Sequence, residues 1–226
     1  MDQALTFTLI NRNWLNSRFG RMDADNGYLS HEPIYGAGRG HTEGGHMRRI
    51  LRLHDVIAML RHAGVGNGDT VLDVGGAEGY LSHLMQRHLS VQATSFDLSA
   101  NACTRARGLF GVDAVAGNAS LLPFRSQSFD VVVMTEVVEH LVDPISAILE
   151  CQRVARRLVV LSTEEWEESS ADRGEKLAHR EIAGHMERNV LCGEDLPVLF
   201  GNRRTLMVAQ RFPQEGSELA LSGHRT

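Results

Sequence analysis

The sequence is poor in lysine, cysteine and proline and has no long apolar run, and these shortages narrow what it can be. Of its 23 basic residues only Lys176 is a lysine, an arginine bias of the kind a GC-rich genome produces. Acidic residues number 28, for a formal charge of −5 and a pI near 6.1. That balance gives no general electrostatic drive toward nucleic acid. Cys103, Cys151 and Cys192 follow no spacing, so neither a disulfide framework nor a zinc site is indicated. No apolar stretch is long enough to span a membrane, and the opening MDQALTFTLINRNW lacks the basic-then-apolar layout of a secretory leader. A cytoplasmic protein is expected.

Glycine is plentiful, with 22 residues, and the most informative stretch is TVLDVGGAEGY, Thr70 to Tyr80. Val71, Leu72 and Val74 read as a short buried strand. Asp73 lies near its end, and Gly75, Gly76 and Gly79 follow at once. In YLSHLMQRH, Leu81, Leu84 and Met85 then fall at helical spacing. Strand, glycine turn, helix is the reading. Such a turn lets a ligand approach the backbone and aims helix N-terminal amides at it, although the same pattern also serves as a plain tight turn. Asp73 suits a ligand with positive charge and would repel the pyrophosphate of a dinucleotide. Ala77 interrupts the glycines, which is tolerable only if the backbone there needs no positive φ.

Downstream, Val91–Phe96 predicts a second strand ending at Asp97, 18 residues beyond Gly79. That is close to the ~20-residue offset at which an acidic side chain reaches a ribose. Ser99 can cap the helix predicted over 100–110, which leaves Asp97 for a ligand. A third strand over 112–116 leads to GNASLLPF, Gly117 to Phe124. Phe129–Met134 is an apolar strand of the kind covered on both faces, with Thr135 and Glu136 at its carboxyl end, where open α/β sheets bind ligands. Asp143-Pro144 opens the next helix as N-cap and N1, and 158–164 forms a fifth strand. Upstream, 32–46 reads as a mobile glycine-rich loop and 47–62 as an amphipathic helix. After 164 the sequence turns acidic and polar, with a short helix over 194–200 and a last strand over 204–212. The expected fold is α/β, a Rossmann-like doubly wound, mostly parallel sheet with helices on both faces. An arm or lid spans 1–45, the main domain 46–213 and a tail 214–226.

In the run from Asp73 to Gly79 the sequence resembles the class I S-adenosylmethionine-dependent methyltransferases, whose first motif reads acidic-x-Gly-x-Gly-x-Gly with Ala77 at the middle glycine. The resemblance extends over roughly 56–161 and has the flavour of the small-molecule branch acting on sugars, quinone precursors and lipids. It implies S-adenosylmethionine as donor and S-adenosylhomocysteine as product. It implies a donor site of Asp73, Gly75, Gly76, Ala77, Gly79, Tyr80, Asp97, Leu98, Asn118, Ala119, Ser120 and Glu136, with Asp97 on the ribose and 118–120 along the adenine. Asn118 replaces the family's Asp; its amide oxygen can still accept from the adenine amino group, and the Ala119 N–H can still donate to the ring. By the same resemblance the arm folds over the donor and shapes the acceptor pocket. The family carries two late strands where this sequence predicts one, so a shortened sheet edge is expected.

Methyl transfer from a sulfonium is a direct displacement, so the protein mainly aligns the reactants. A hydroxyl acceptor also needs a base. His140, just past the fourth strand, is the first candidate, by likeness to some sugar O-methyltransferases; a structural histidine is the plainer reading. His41 and His46 in the arm are weaker candidates. Glu136, Glu139 and His140 sit at i, i+3, i+4 and would share a helical face, a pattern also found in metal-dependent small-RNA 2′-O-methyltransferases. The expected partner is a small-molecule acceptor, methylated at oxygen rather than nitrogen or carbon, with no nucleic acid and no metal. The alternatives are that RNA enzyme and a donor-binding subunit without catalysis.

Overall fold

A computed structural model of the protein describes residues 3–20, 43–165 and 205–211. Among the described residues two helices come first, α1 (Gln3–Gly20) and α2 (Glu43–His62). There follow β1 (Thr70–Val74), α3 (Tyr80–Leu89), β2 (Gln92–Asp97), α4 (Ala100–Phe110), β3 (Asp113–Ala116) and β4 (Phe129–Thr135). A 3-10 turn at Val138–His140 leads to α5 (Pro144–Val154), β5 (Ala155–Glu165) and β6 (Thr205–Arg211). The strands form one sheet in the order β3-β2-β1-β4-β5-β6, with every neighbouring pair parallel. The order reverses between β1 and β4, the kind of place where open α/β sheets bind ligands. The doubly wound expectation is met.

Strand parity distributes the core. Leu72, Val74, Phe96, Val132, Met134, Val159 and Leu161 share a buried cluster with Ile148, Cys151 and Val154 of α5. Val71, Ala93, Val131, Val133 and Val160 point the other way, onto Ile57 and Leu60 of α2 and Leu81, Leu84 and Met85 of α3. Because the side-chain period of a strand is two, both faces of the central strands must be apolar. On the α3 face, the register puts Ala114, Ser95, Asp73, Val133 and Val160 in one row across the sheet. Two polar residues therefore lie side by side in an apolar row, next to the turn that follows β1.

Two expectations are corrected. α2 begins at Glu43, so residues 43–46 are helical and the arm boundary drawn at 45 falls inside a helix. Gly44 and Gly45 occupy its first turn, where N–H groups lack intrahelical partners in any case. Within the N-terminal segment, read only as short apolar clusters, Gln3–Gly20 form an 18-residue helix. Its apolar residues make no single stripe; tertiary hydrogen bonds to α4, described below, seat it. The expected 32–42 loop, the 194–200 helix and the tail lie outside the described residues. Among the described residues, one strand follows β5.

Asp143 caps α5 as expected, with Oδ1 accepting from the Ser146 N–H at 2.9 Å and Pro144 at N1. Losing such a cap costs about 0.5–2 kcal/mol. Asp143→Ala is therefore expected to lower unfolding stability by about 1 kcal/mol in urea titration while leaving the m-value unchanged.

Candidate functional site

The site is built at the carboxyl ends of β1, β2 and β4. Between β1 and α3 the chain makes its glycine turn, and the backbone of β2 is its anchor. Gly75 and Gly76 both donate to the Phe96 carbonyl, at 2.7 and 3.1 Å, and Gly79 donates to the Gly76 carbonyl at 2.8 Å. The Ala77 N–H donates to Asp97 Oδ2 at 3.0 Å. Four amides of the turn are thus consumed internally. A phosphate cradle needs such amides pointing at the ligand, so this turn is a platform for close approach and a poor anion nest.

Asp97 ends β2 with its carboxylate held from both sides. Oδ1 accepts from the Ser99 N–H at 2.8 Å while Oδ2 accepts from Ala77. Ser99 caps α4 through its own hydroxyl, accepting from the Ala102 N–H at 3.2 Å, so Asp97 is not needed as a cap. A carboxylate has about four lone-pair sites, and two are left for a ligand's hydroxyls. Asp97 is 8% exposed, at the rim of the sheet. Burial pushes its carboxyl up to about 6, against the pull of the Ser99 and Ala77 amides.

Asp73 is placed differently. It is 1% exposed, and its Oδ2 accepts from Ser82 Oγ of α3 at 2.6 Å. A Cβ at Gly76 would run into this carboxylate and Ser95 Oγ, so the side chain lies beneath the turn. Its charge can reach a ligand only through the backbone above it. Burial also pushes its carboxyl up to about 6, opposed by the Ser82 bond and reinforced by the charge of Asp97. Ser82 and Ser95 were not singled out from the sequence, although the parity of Asp73 with Val71 points it toward α3.

Ala77 corrects the sequence reading. Its φ is +49°, so the backbone does need the left-handed region that the missing glycine would occupy without strain. For an L-residue this costs about 1–2 kcal/mol. Glu78, also missed, is fully buried, with Oε1 2.7 Å from Arg105 Nε of α4. Tyr80 is half-buried with its ring against Phe110, centroids 5.7 Å apart, and Leu98 is half-buried beside Asp97.

The loop after β3 joins the site through the Gly117 N–H, which donates to the Asp97 carbonyl at 2.9 Å. Asn118 Oδ1 accepts from the Ser120 N–H at 3.0 Å, Ala119 is buried, and Ser120 Oγ donates to the Asp143 carbonyl at 3.3 Å. Asn118 therefore shapes its own loop, with one lone pair of Oδ1 already engaged. Below it, Arg153 donates to the Leu122 and Phe124 carbonyls at 3.0 and 2.8 Å, and Glu150 accepts from the Leu122 N–H at 2.8 Å.

Glu136 follows β4 with φ +55°, its N–H donating to the Ser162 carbonyl at 3.0 Å. Such strain in a non-glycine residue persists only where the surrounding structure over-determines the backbone. Its left-handed backbone also breaks the proposed helical face, because only Val138–His140 forms a turn, of the 3-10 type. Glu136, Glu139 and His140 are thus not stacked as i, i+3, i+4. Among the described residues no group of three or more His, Cys, Asp or Glu side chains is arranged to hold a metal ion. Glu139 is buried, and His140 Nε2 lies 4.0 Å from its Oε1. His46 falls in the first turn of α2; His41 is outside the described residues.

Two measurements test this geometry. Ala77→Gly relieves the left-handed strain but adds chain entropy to the unfolded state, worth about 0.4–1 kcal/mol. A net gain of up to about 1 kcal/mol in urea titration is expected, and Ala77→Val should lose stability. Asp97 has a folded pKa of about 6, above its ordinary 3.8. Between those values the native state keeps a proton that the unfolded state has released, so stability falls as pH rises through the window. Relative to Asp97→Asn, the wild type should lose roughly 2–3 kcal/mol between pH 4 and 7. The pH slope is the readout, since the substitution also changes stability at every pH.

Among families, one described as a methyltransferase domain matches residues 72–161. That span runs from β1 to β5 and includes Asp73, the glycine turn, Asp97, the 117–124 loop and Glu136. None of the curated proteins compared with the chain matches it. Among solved structures, a Bacillus halodurans protein provisionally described as a methyltransferase superposes with a TM-score of 0.57 at 22% identity, over 64% of this chain and 66% of its own. The magnesium protoporphyrin IX methyltransferase of Synechocystis, with S-adenosylhomocysteine bound, gives 0.61 at 18% identity over 85% and 87%. The cyclase SpnF gives 0.54 at 20% identity over 87% and 69%. These likenesses bear on the fold. With the family match, they give residues 72–161 the sequence signature and the fold of a methyltransferase domain.

Proposed function

We propose that the protein transfers the methyl group of S-adenosylmethionine to a small-molecule acceptor, at oxygen in preference to nitrogen or carbon, in a biosynthetic pathway of sugar, lipid or secondary-metabolite type. The observation that carries the reading is Asp97, a carboxylate at the rim of β2 with each oxygen fastened by one amide and lone pairs to spare. When bound, the donor supplies an electrophilic methyl on a sulfonium. The residues of this chain hold and orient it. Asp97 accepts the ribose hydroxyls, the internally bonded turn 75–79 admits the chain of the donor against bare backbone, and the Asn118–Ser120 loop borders the base. Asp73 contributes negative charge from beneath the turn, and Glu136 is aimed from the end of β4.

His140 takes the proton of the acceptor hydroxyl. His140 ends the 3-10 turn that follows β4, with the Glu139 carboxylate 4.0 Å from its Nε2 to offset the charge of the imidazolium that results. A second reading is kept alive by Ala77 and Asn118, both departures from the motif, and by the cyclase that shares the fold: donor binding without methyl transfer.

The test combines binding and turnover. The wild type should bind S-adenosylhomocysteine in calorimetry, and no heat at millimolar ligand would sink the donor reading. His140→Ala should bind it within about twofold of wild type, yet lose ~10²–10⁴-fold in kcat. A chelator should leave activity unchanged; loss of activity restored by Mg²⁺ or Mn²⁺ would overturn the base role. Binding without transfer to any acceptor in host extracts would favour the second reading.

A further inference from the structure

We propose that Asn16 of α1 is a positioning residue for the donor site, so that docking of α1 and occupancy at Asp97 are thermodynamically linked. The inference rests on the donor reading above. Its basis is a chain of hydrogen bonds that runs from Asp97 through Ser99 to Asn16. The buried Ser99 uses its N–H to hold Asp97 Oδ1 at 2.8 Å. Its hydroxyl, already accepting from Ala102, donates to Asn16 Oδ1 at 2.8 Å. One residue therefore separates the ribose-side carboxylate from α1. The same Asn16 Oδ1 accepts from the Asn101 N–H at 3.4 Å, and the Asn16 carbonyl accepts from Asn101 Nδ2 at 2.8 Å.

A second connection runs in parallel. Phe19, 2% exposed, packs at the end of α1, and its carbonyl is one of the last four that a helix leaves without an internal partner. Arg105 Nη1 donates to it at 3.3 Å, while Arg105 Nε pairs with Glu78 at 2.7 Å. Glu78 lies inside the glycine turn, between Ala77 and Gly79. Both walls of the donor site, the turn and the Asp97 loop, are thereby tied to one helix far away in sequence. A ligand that fixes Asp97 and the turn must favour the docked α1. By reciprocity, a docked α1 must favour the ligand by the same factor.

Hydrogen exchange on the full chain tests this. In the wild type, S-adenosylhomocysteine should slow amide exchange across residues 9–20 by about tenfold, within the usual range of site-to-site coupling. In Asn16→Ala that slowing should vanish and S-adenosylhomocysteine affinity should fall about tenfold. Asn16→Asp keeps the Oδ1 acceptor and should restore both. A purely structural role for Asn16 would speed exchange in α1 equally with and without ligand and leave affinity unchanged, which overturns the proposal. So does ligand protection at 73–80 with none at 9–20 in the wild type, a measurement that needs no variant to fold. A wild type that binds no S-adenosylhomocysteine would remove the donor reading, and this inference with it.

Discussion

The grip of two amides on the Asp97 carboxylate is the interaction on which the rest of the site depends. Ala77 reaches it from the turn after β1, and Ser99 from the loop after β2. The Gly117 N–H, at the start of the loop after β3, bonds the carbonyl of the same residue. Three connections on the ligand edge of the sheet therefore converge on one residue. Burying a carboxylate is costly unless its lone pairs are met. Here the donors that meet it also fix the turns after β1 and β2.

Beneath that edge the sheet is built for rigidity. Val131 to Met134 of β4 are completely buried, between α2 and α3 on one side and α5 on the other. Such a strand can neither slip nor twist without exposing apolar side chains. Rigidity allows strained backbone to persist at its end, where Glu136 has φ +55° and its N–H bonds to the Ser162 carbonyl of β5. Ala77 shows the same logic at β1. Its left-handed φ is imposed by the amides of Gly75, Gly76 and Gly79 on either side, all fixed to Phe96 or within the turn. The strain sits where the ligand edge is, as expected when surrounding structure over-determines a backbone.

Much of the electrostatics is hidden below the surface of the site. Asp73 and Asp97 are both buried and hold protons to about pH 6, so above that pH they confront a ligand with two negative charges weakly screened by water. A sulfonium donor is cationic, and a pyrophosphate is the opposite. The consumption of turn amides argues in the same direction, since no nest of N–H groups remains over 75–77 to attract an anion. Two independent features of the structure thus select for the same sign of ligand charge.

Strand, turn and helix from β1 to β5 were legible in the sequence because each is a local pattern with a long-range consequence. The short apolar runs of β1 and β4, Asp73 and the glycines, the Asp97 offset, and the Asp143-Pro144 cap all speak for themselves within a few residues. Three things were not legible. The need for positive φ at Ala77 depends on where the neighbouring amides bond. The placing of Asp73 beneath the turn depends on Ser82 one helix away. α1 carries no apolar stripe to announce itself, and it is held by Asn16 and Phe19 bonding to residues more than eighty positions later. Local propensity and periodicity decide which elements form, because those energies are summed over neighbours in the chain. Only the tertiary structure decides which face of a carboxylate meets a ligand, because that depends on donors the chain brings together from afar.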